Sequence, residues 1–317
     1  MSSAPRPRRS TAPLTVGSLL GKAARRLAGA GLAYGHGTDN PRDEAAYLIQ
    51  HALKLPPAAL NAAILRRRVS RANAQRALEL VGARIERRSP AAYITREAWL
   101  GDYRFYVDER VIVPRSYIAE LLCQKLAPWL LKPAKVRRGL DLCTGSACLA
   151  IIMAKQFTHA AVDAVDVSPP ALAVARRNVG RYRLGRRVRL VESDLFSAAR
   201  GKRYDLIISN PPYVSAAAMR RLPPEYRSEP ALALAGGEDG FDLVDVILRK
   251  AARHLVADGL LVVEIGHHRR RLEASYPRLP FIWPETSGGD DCVFVLTRAD
   301  LLAPGALQRR PARRPAI

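Results

Sequence analysis

Residues 205–213 read DLIISNPPY. An apolar, β-branched run ends at Ser209 and passes straight into an amide, two imino acids and an aromatic ring. A residue before proline is pushed towards extended backbone, and each proline fixes its own φ. Asn210-Pro211-Pro212-Tyr213 is therefore a stiff platform at the end of a buried strand. Neither proline carries an N–H, so the carbonyls of Asn210 and Pro211 are left free to point at a ligand. The Asn210 amide oxygen and the Pro211 carbonyl can accept both hydrogens of an –NH₂ group, with the Tyr213 ring against the planar system that bears it. A plain proline turn accounts for neither the Asn nor the Tyr.

Working outward, the strand is one of seven short apolar runs: 139–142, 161–166, 188–192, 205–209, 260–264, 281–283 and 292–296. Helical patterns separate the early ones. This alternation predicts an α/β fold with a mostly parallel, doubly wound sheet. In such sheets ligands bind beyond the carboxyl ends of the strands, near the switch in strand order.

Each early strand end carries a chemical signal. The first ends Asp141-Leu142-Cys143-Thr144-Gly145-Ser146-Ala147, where small residues let the backbone turn tightly and approach a ligand. The second ends at Asp166, 21 residues beyond Gly145. A carboxylate there suits the two hydroxyls of a ribose. Its alternative role is to cap the next helix, although Ser168 before Pro169 fills that role better. The third ends Glu192-Ser193-Asp194-Leu195-Phe196, where an acid and apolar side chains can hold and cover a nucleobase. The ordered set implies a nucleoside-bearing cofactor.

Upstream, residues 14–90 have helical periodicity. Asn40-Pro41-Arg42-Asp43-Glu44 is a helix start, with a capping Asn, Pro at the first position and acids in the first turn. Ala45, Leu48, Ile49 and Ala52 follow on one face, and Ser70 opens a further helix. Residues 91–113 are aromatic and β-branched around Gly101-Asp102, which predicts a β-hairpin linker. Residues 114–302 hold the sheet domain, opening with a helix over 118–131.

The 317 residues carry a net charge of +22 and are 48% hydrophobic. That supports a sizeable core and favours an acidic partner such as RNA or a ribonucleoprotein, although biased composition also produces Arg and Ala. Residues 1–38 contain six cations and no acid, and residues 301–317 four cations and no acid. Residues 1–13 and 303–317 read as disordered basic tails. Seven arginines fall between Arg176 and Arg189, either a nucleic-acid surface or a solvated face. Cys123, Cys143, Cys148 and Cys292 lack metal-ligand spacing and fit reduced thiols. His267-His268, followed by three arginines, reads as a polar helix start, so no metal is expected. No apolar run reaches membrane-spanning length, and the N-terminus lacks a hydrophobic signal core. Its Arg-rich, acid-poor composition is also that of organellar transit peptides. A cytoplasmic protein is expected.

DLCTGSAC, Asp166, SDLF and NPPY, in this order, resemble class I methyltransferases that use S-adenosylmethionine to modify amino or amide nitrogens. The linker SPAAYITREAWLGDYRFYVDERVIVPRS (89–116) and the segment PPEYRSEPALALAGGEDGFDL (223–243) resemble the HemK family of protein glutamine methyltransferases. The resemblance spans nearly all the chain except its tails. YVDERVIVPRS, LPPEYRSEP and GGDDCVFVLT look like the branch that methylates a glutamine of large-subunit ribosomal protein three. The release-factor branch usually has Pro-Glu-Thr-Glu after the linker Pro-Arg, where this chain has Ser116-Tyr117-Ile118.

The resemblance implies S-adenosylmethionine as cofactor and a seven-stranded sheet. By it, Thr144, Gly145 and Ser146 wrap the methionine part of the cofactor, and Asp141, Cys143, Ala147 and Asn210 also belong to the cofactor site. Asp166 holds the ribose, and Asp194 and Leu195 the adenine. Asn210 and Pro211 grip the glutamine amide, Pro212 completes the platform and Tyr213 packs on it. The family usually has Gly where this chain has Ala147, a methyl group that crowds the cofactor if the backbone needs φ > 0. Three alternatives stay open: a release-factor glutamine methyltransferase, an RNA or DNA amino-methyltransferase, and a non-catalytic ribosome-assembly binder. Contact with ribosomal RNA through the basic surface is a further expectation.

Overall fold

The computed structural model describes residues 14–56 and 60–309. The expected tail 1–13 and the last residues of the other, 310–317, lie outside them. The chain divides into two compact units, up to Thr95 and from Arg96 onward.

The first unit packs α1 (Val16–Ala28), α2 (Pro41–Leu53), α3 (Ala62–Arg66), α4 (Arg71–Arg87) and α5 (Ala91–Thr95). Asn40 Oδ1 accepts from the backbone N–H groups of Arg42 and Asp43, both at 3.0 Å, and Pro41 occupies the first turn. Leu19, Leu48, Ile49, Ala77 and Val81 form the core. Inside it Arg84 Nε donates to Glu44 Oε1 at 2.6 Å, and Arg84 Nη2 to the Ala33 carbonyl at 2.8 Å. Burial raises Glu44 above its usual range while the guanidinium holds it down.

The second unit begins with a two-stranded hairpin, β1 (Ala98–Leu100) and β2 (Tyr103–Phe105), then α6 (Ile118–Cys123). There follow β3 (Arg138–Leu142), α7 (Cys148–Gln156), β4 (Ala161–Asp166), α8 (Pro169–Arg181), β5 (Val188–Glu192), β6 (Tyr204–Ser209), α9 (Ala216–Met219), α10 (Asp242–His254), β7 (Leu255–Glu264), α11 (Arg269–Ser275), β8 (Val293–Thr297) and α12 (Arg298–Leu302). The sheet order is β5-β4-β3-β6-β7-β8, parallel except for β8. The strand order reverses between β3 and β6. Leu206, Ile207 and Ile208 are fully buried, each contributing on the order of 2–3 kcal/mol through burial.

Four expectations need correction. The strand at 281–283 is reduced to one bridge, Ile282 with Val295, because Pro280 and Pro284 flank it and cannot donate to a ladder. The helix over 118–131 stops at Cys123, where the chain takes positive φ at Lys125 and Leu126 ahead of Pro128. The linker opens with helix α5, since Pro90 suits a helix start and its carbonyl accepts from Tyr93 N at 3.0 Å. The hairpin is confined to 98–105. Residues 303–309 are anchored rather than a free tail: Ala306 lies in the core, and Arg309 pairs with Asp239 and Asp245.

Replacing Arg84 by Ala leaves Glu44 buried without its countercharge. We expect a loss of about 3–5 kcal/mol in urea denaturation of the whole chain, most of it recovered when Glu44→Leu is combined with Arg84→Met.

Candidate active site

Leu142 and Ser209 are register partners at the ends of β3 and β6, and Ser209 Oγ donates to the Leu142 carbonyl at 3.0 Å. The loops beginning at Cys143 and Asn210 therefore start side by side.

The first loop is pinned from below. Asp141 Oδ2 accepts from Thr144 Oγ1 at 2.5 Å and from Ala150 N at 3.0 Å. Cys143, Gly145 and Ala147 all have positive φ. A methyl group on Gly145 would meet nothing within 4 Å, so its backbone faces open space. Gly145 N donates to Asp166 Oδ2 at 2.8 Å, while Ser168 N donates to Asp166 Oδ1 at 2.9 Å. One carboxylate thus braces two strand-end loops. The capping of α8 falls to Ser168, whose Oγ accepts from Ala171 N. Burial lifts Asp166 above the usual carboxylate range and pushes Asp141 up to about 7.

Above this loop lies a cavity of about 270 Å³. Of the predicted cofactor residues, Cys143, Gly145, Asp166, Asp194, Leu195 and Asn210 line it, and so does Pro212. Asp141, Thr144, Ser146 and Ala147 do not; all four are buried beneath it. Of these, Asp141 and Thr144 brace the loop through the bond between them. Ala147 does need φ > 0, at 63°, but its methyl is buried in packing and does not crowd the cavity. The wall that sequence reasoning missed is Arg110, Val111 and Ile112, read from composition as part of a hairpin. Arg110 is fixed by a bidentate pair with Asp108, which holds that carboxyl down to about 2.

A second cavity of about 200 Å³ is lined by all four residues of the NPPY platform together with Ile112, Arg115 and Tyr226. The two cavities share Ile112, Asn210, Pro212 and Ala233. The platform is the partition where they meet.

Three groups of contacts surround it. Val214 N donates to the Leu234 carbonyl and Gly236 N to the Val214 carbonyl, both at 2.9 Å. A side chain at Gly236 would lie 2.7 Å from Tyr213 Cα and 2.8 Å from the Pro212 carbonyl, so only glycine allows this approach. Glu264, at the end of β7, accepts from Asn210 Nδ2 at 3.2 Å, Ser116 Oγ at 2.6 Å and Tyr117 N at 2.9 Å. Arg115 makes a bidentate pair with Glu229, at 2.5 and 2.7 Å, and Val113 N donates to the same carboxylate. These contacts tie residues 113–117 to the segments around the platform. Burial pushes Glu264 up to about 7 and raises the Tyr213 phenol, which stays neutral. Glu264 and the Arg115–Glu229 pair went unnoticed in the sequence; the one available signal was a carboxylate ending the apolar run LLVVE.

The arginine-rich stretch divides. Arg187 donates to the carbonyls of Ala154 and Thr158, Arg189 pairs bidentately with Asp163, and Arg177 stacks 3.6 Å above the Tyr106 ring. Arg176, Arg181, Arg183 and Arg186 are exposed. Among the described residues, spacing had concealed one set of potential metal donors: His267, Asp291 and Cys292 lie within 4.8 Å of one another. No helix is long and apolar enough to cross a membrane, among the described residues.

Three outcomes follow from this geometry. Ala147→Gly relieves a left-handed alanine and raises stability by about 1 kcal/mol, leaving cofactor affinity unchanged by titration calorimetry. Gly236→Ala forces the platform backbone apart and costs about 1–3 kcal/mol in the same urea assay. Asp141 and Glu264 bind protons more tightly folded than unfolded, so the ligand-free protein is more stable at pH 5 than at pH 8. A melting temperature that rises with pH across that range contradicts this.

Comparison with known proteins agrees with this architecture. Residues 18–95 match the family model described as PrmC N-terminal domain, and residues 119–222 the one described as Methyltransferase small domain. The second unit has the class I S-adenosylmethionine-dependent methyltransferase fold. The chain is 53% identical to the ribosomal protein uL3 glutamine methyltransferase of Bordetella pertussis, over 90% of this chain and 96% of that one. It is 52% identical to the enzyme of the same name from Neisseria meningitidis, over 91% and 94%. With that of Burkholderia pseudomallei the identity is 48%, over 91% and 96%. Across that identity and coverage, this chain belongs to the HemK-family ribosomal protein uL3 glutamine methyltransferases.

Proposed function

We propose that this protein transfers a methyl group from S-adenosylmethionine to the side-chain amide nitrogen of a glutamine in large-subunit ribosomal protein three, uL3. The observation that carries the reading is the NPPY platform standing as the partition between two cavities, one suited to a nucleoside and one to a side chain. The residues present fit the cofactor: Gly145 presents bare backbone to the cavity, with Asp166, Asp194 and Leu195 around it. Asp166 would hold the ribose, and Asp194 and Leu195 the adenine. When bound, the cofactor supplies an electrophilic methyl on a sulfonium.

The amide nitrogen of glutamine is a poor nucleophile because its lone pair is delocalised into the carbonyl. Asn210 Oδ1 and the Pro211 carbonyl accept its two hydrogens, which aims the lone pair into the neighbouring cavity and stabilises the positive charge that develops on nitrogen. Tyr213, held neutral by burial, packs along the amide plane. The proton leaves the nitrogen after transfer, so no general base is required beforehand. The relatives support uL3 over a release factor as acceptor. The four exposed arginines of 176–186 offer a surface for ribosomal RNA around the acceptor. A ribosomal-protein substrate implies a cytoplasmic site of action.

The test is transfer of labelled methyl into purified uL3, a release factor and ribosomal RNA. Label on uL3 that disappears when its acceptor glutamine is changed supports the reading. Label on the release factor or on RNA alone refutes it. Asn210→Ala is expected to lower kcat by about 10²–10³-fold while S-adenosylmethionine still binds. Unimpaired turnover in that variant rules out the amide clamp.

A further inference from the structure

We infer that Glu264 is the positioning residue that decides which end of the Asn210 amide faces the substrate. The inference rests on the reading of Asn210 as the amide clamp, and it turns on hydrogen-bond polarity.

An asparagine side chain offers an acceptor at one end and a two-hydrogen donor at the other, and rotation by 180° exchanges them. Only the acceptor end can grip a glutamine –NH₂. The choice is made behind the platform. The backbone N–H of Tyr117 can only donate, so the Glu264 oxygen it meets, Oε2, must keep its lone pairs. The same oxygen takes the Ser116 hydroxyl. Oε1, left to Asn210, accepts from Nδ2. With its nitrogen engaged there, Asn210 turns Oδ1 away from Glu264 and towards the cavities. Glu264 is 2% exposed, so bulk water does not compete for this bond. The two donors that hold Oε2 come from residues 116 and 117, and so the chain just after the linker sets the polarity of a side chain on the far side of β6. Burial pushes the Glu264 carboxyl up to about 7, which makes the arrangement sensitive to protonation near neutrality. The charged and titratable groups facing it are Arg115 beside the linker, Tyr213 after β6 and Cys292 before β8.

Glu264→Gln separates polarity from shape. The Tyr117 N–H keeps the glutamine carbonyl oxygen at the Oε2 position, which leaves –NH₂ facing Asn210. Asn210 must then flip, presenting its own –NH₂ to the substrate amide. We expect kcat to fall about a hundredfold, with S-adenosylmethionine affinity and melting temperature close to wild type. In an Asn210→Ala background the same change should cost almost nothing further, because the end being oriented is gone. The kinetic arm uses whichever acceptor the wild-type protein methylates, so an error in the acceptor does not touch it.

A second readout needs no acceptor and leaves Glu264 itself unchanged. In the wild-type protein the Asn210 side-chain amide signal, identified by its loss in Asn210→Ala, should shift with pH as Glu264 ionises. An Asn210 signal indifferent to pH overturns the inference. So does turnover within roughly threefold of wild type in Glu264→Gln, or an equal loss in both backgrounds.

Discussion

Two parallel strands that end in register impose the constraint on which this site depends. Because β3 and β6 are hydrogen-bonded neighbours and Leu142 lies opposite Ser209, the loop at Cys143 and the platform at Asn210 emerge together. Strands to one side of this switch send their connections to the first cavity. β7 on the other side delivers Glu264 behind the platform. A one-residue slip in the β3–β6 pairing would turn inward-facing side chains outward and separate the two cavities.

Around that junction the chain buries carboxylates and uses them as backbone fasteners. Asp141 holds Thr144 and the first turn of α7; Asp166 joins Gly145 to Ser168; Glu229 gathers Val113 and Arg115; Glu264 joins Ser116 and Tyr117 to Asn210. Desolvating a carboxylate costs several kcal/mol unless donors meet it. Here the donors are mainly backbone N–H groups and hydroxyls, joined by the Arg115 guanidinium and the Asn210 amide. The cost appears as the lowered acidities of Asp141, Asp166 and Glu264, whose pKa values burial raises. The return is loops held in shapes with positive φ, ready for a ligand before it arrives.

The excess of positive charge serves two purposes. Arg84, Arg115, Arg187, Arg189 and Arg309 are engaged by carboxylates or carbonyls within the fold. Others, such as Arg176 and Arg183, stay in solvent. A count of arginines therefore overstates the surface available to an acidic partner, because guanidinium groups are also well suited to bidentate structural pairs.

The sequence by itself determined a good deal. Strands 161–166 and 188–192 were legible to the residue because a short apolar run between helical patterns and turn residues suits a buried parallel strand. Asn40-Pro41 announced the start of α2, and NPPY announced its own stiffness because proline acts on local backbone alone. Those are local constraints, and they survive folding. Tertiary structure decided the rest. Phe281 to Trp283 looked like a strand, yet the prolines at either side left one bridge. Residues 110–112, read as part of a linker, became a wall of the first cavity, with Ile112 reaching the second as well. Thr144 and Ala147, read as ligand contacts, turned beneath the cleft. Glu264 lies 54 residues from Asn210 and 148 from Ser116; no spacing rule joins them, because they meet only through the pairing of β6 with β7 and the return of the linker. Local backbone chemistry is written in short stretches of sequence, whereas the polarity of a buried hydrogen-bond network exists only once distant strands have been brought side by side.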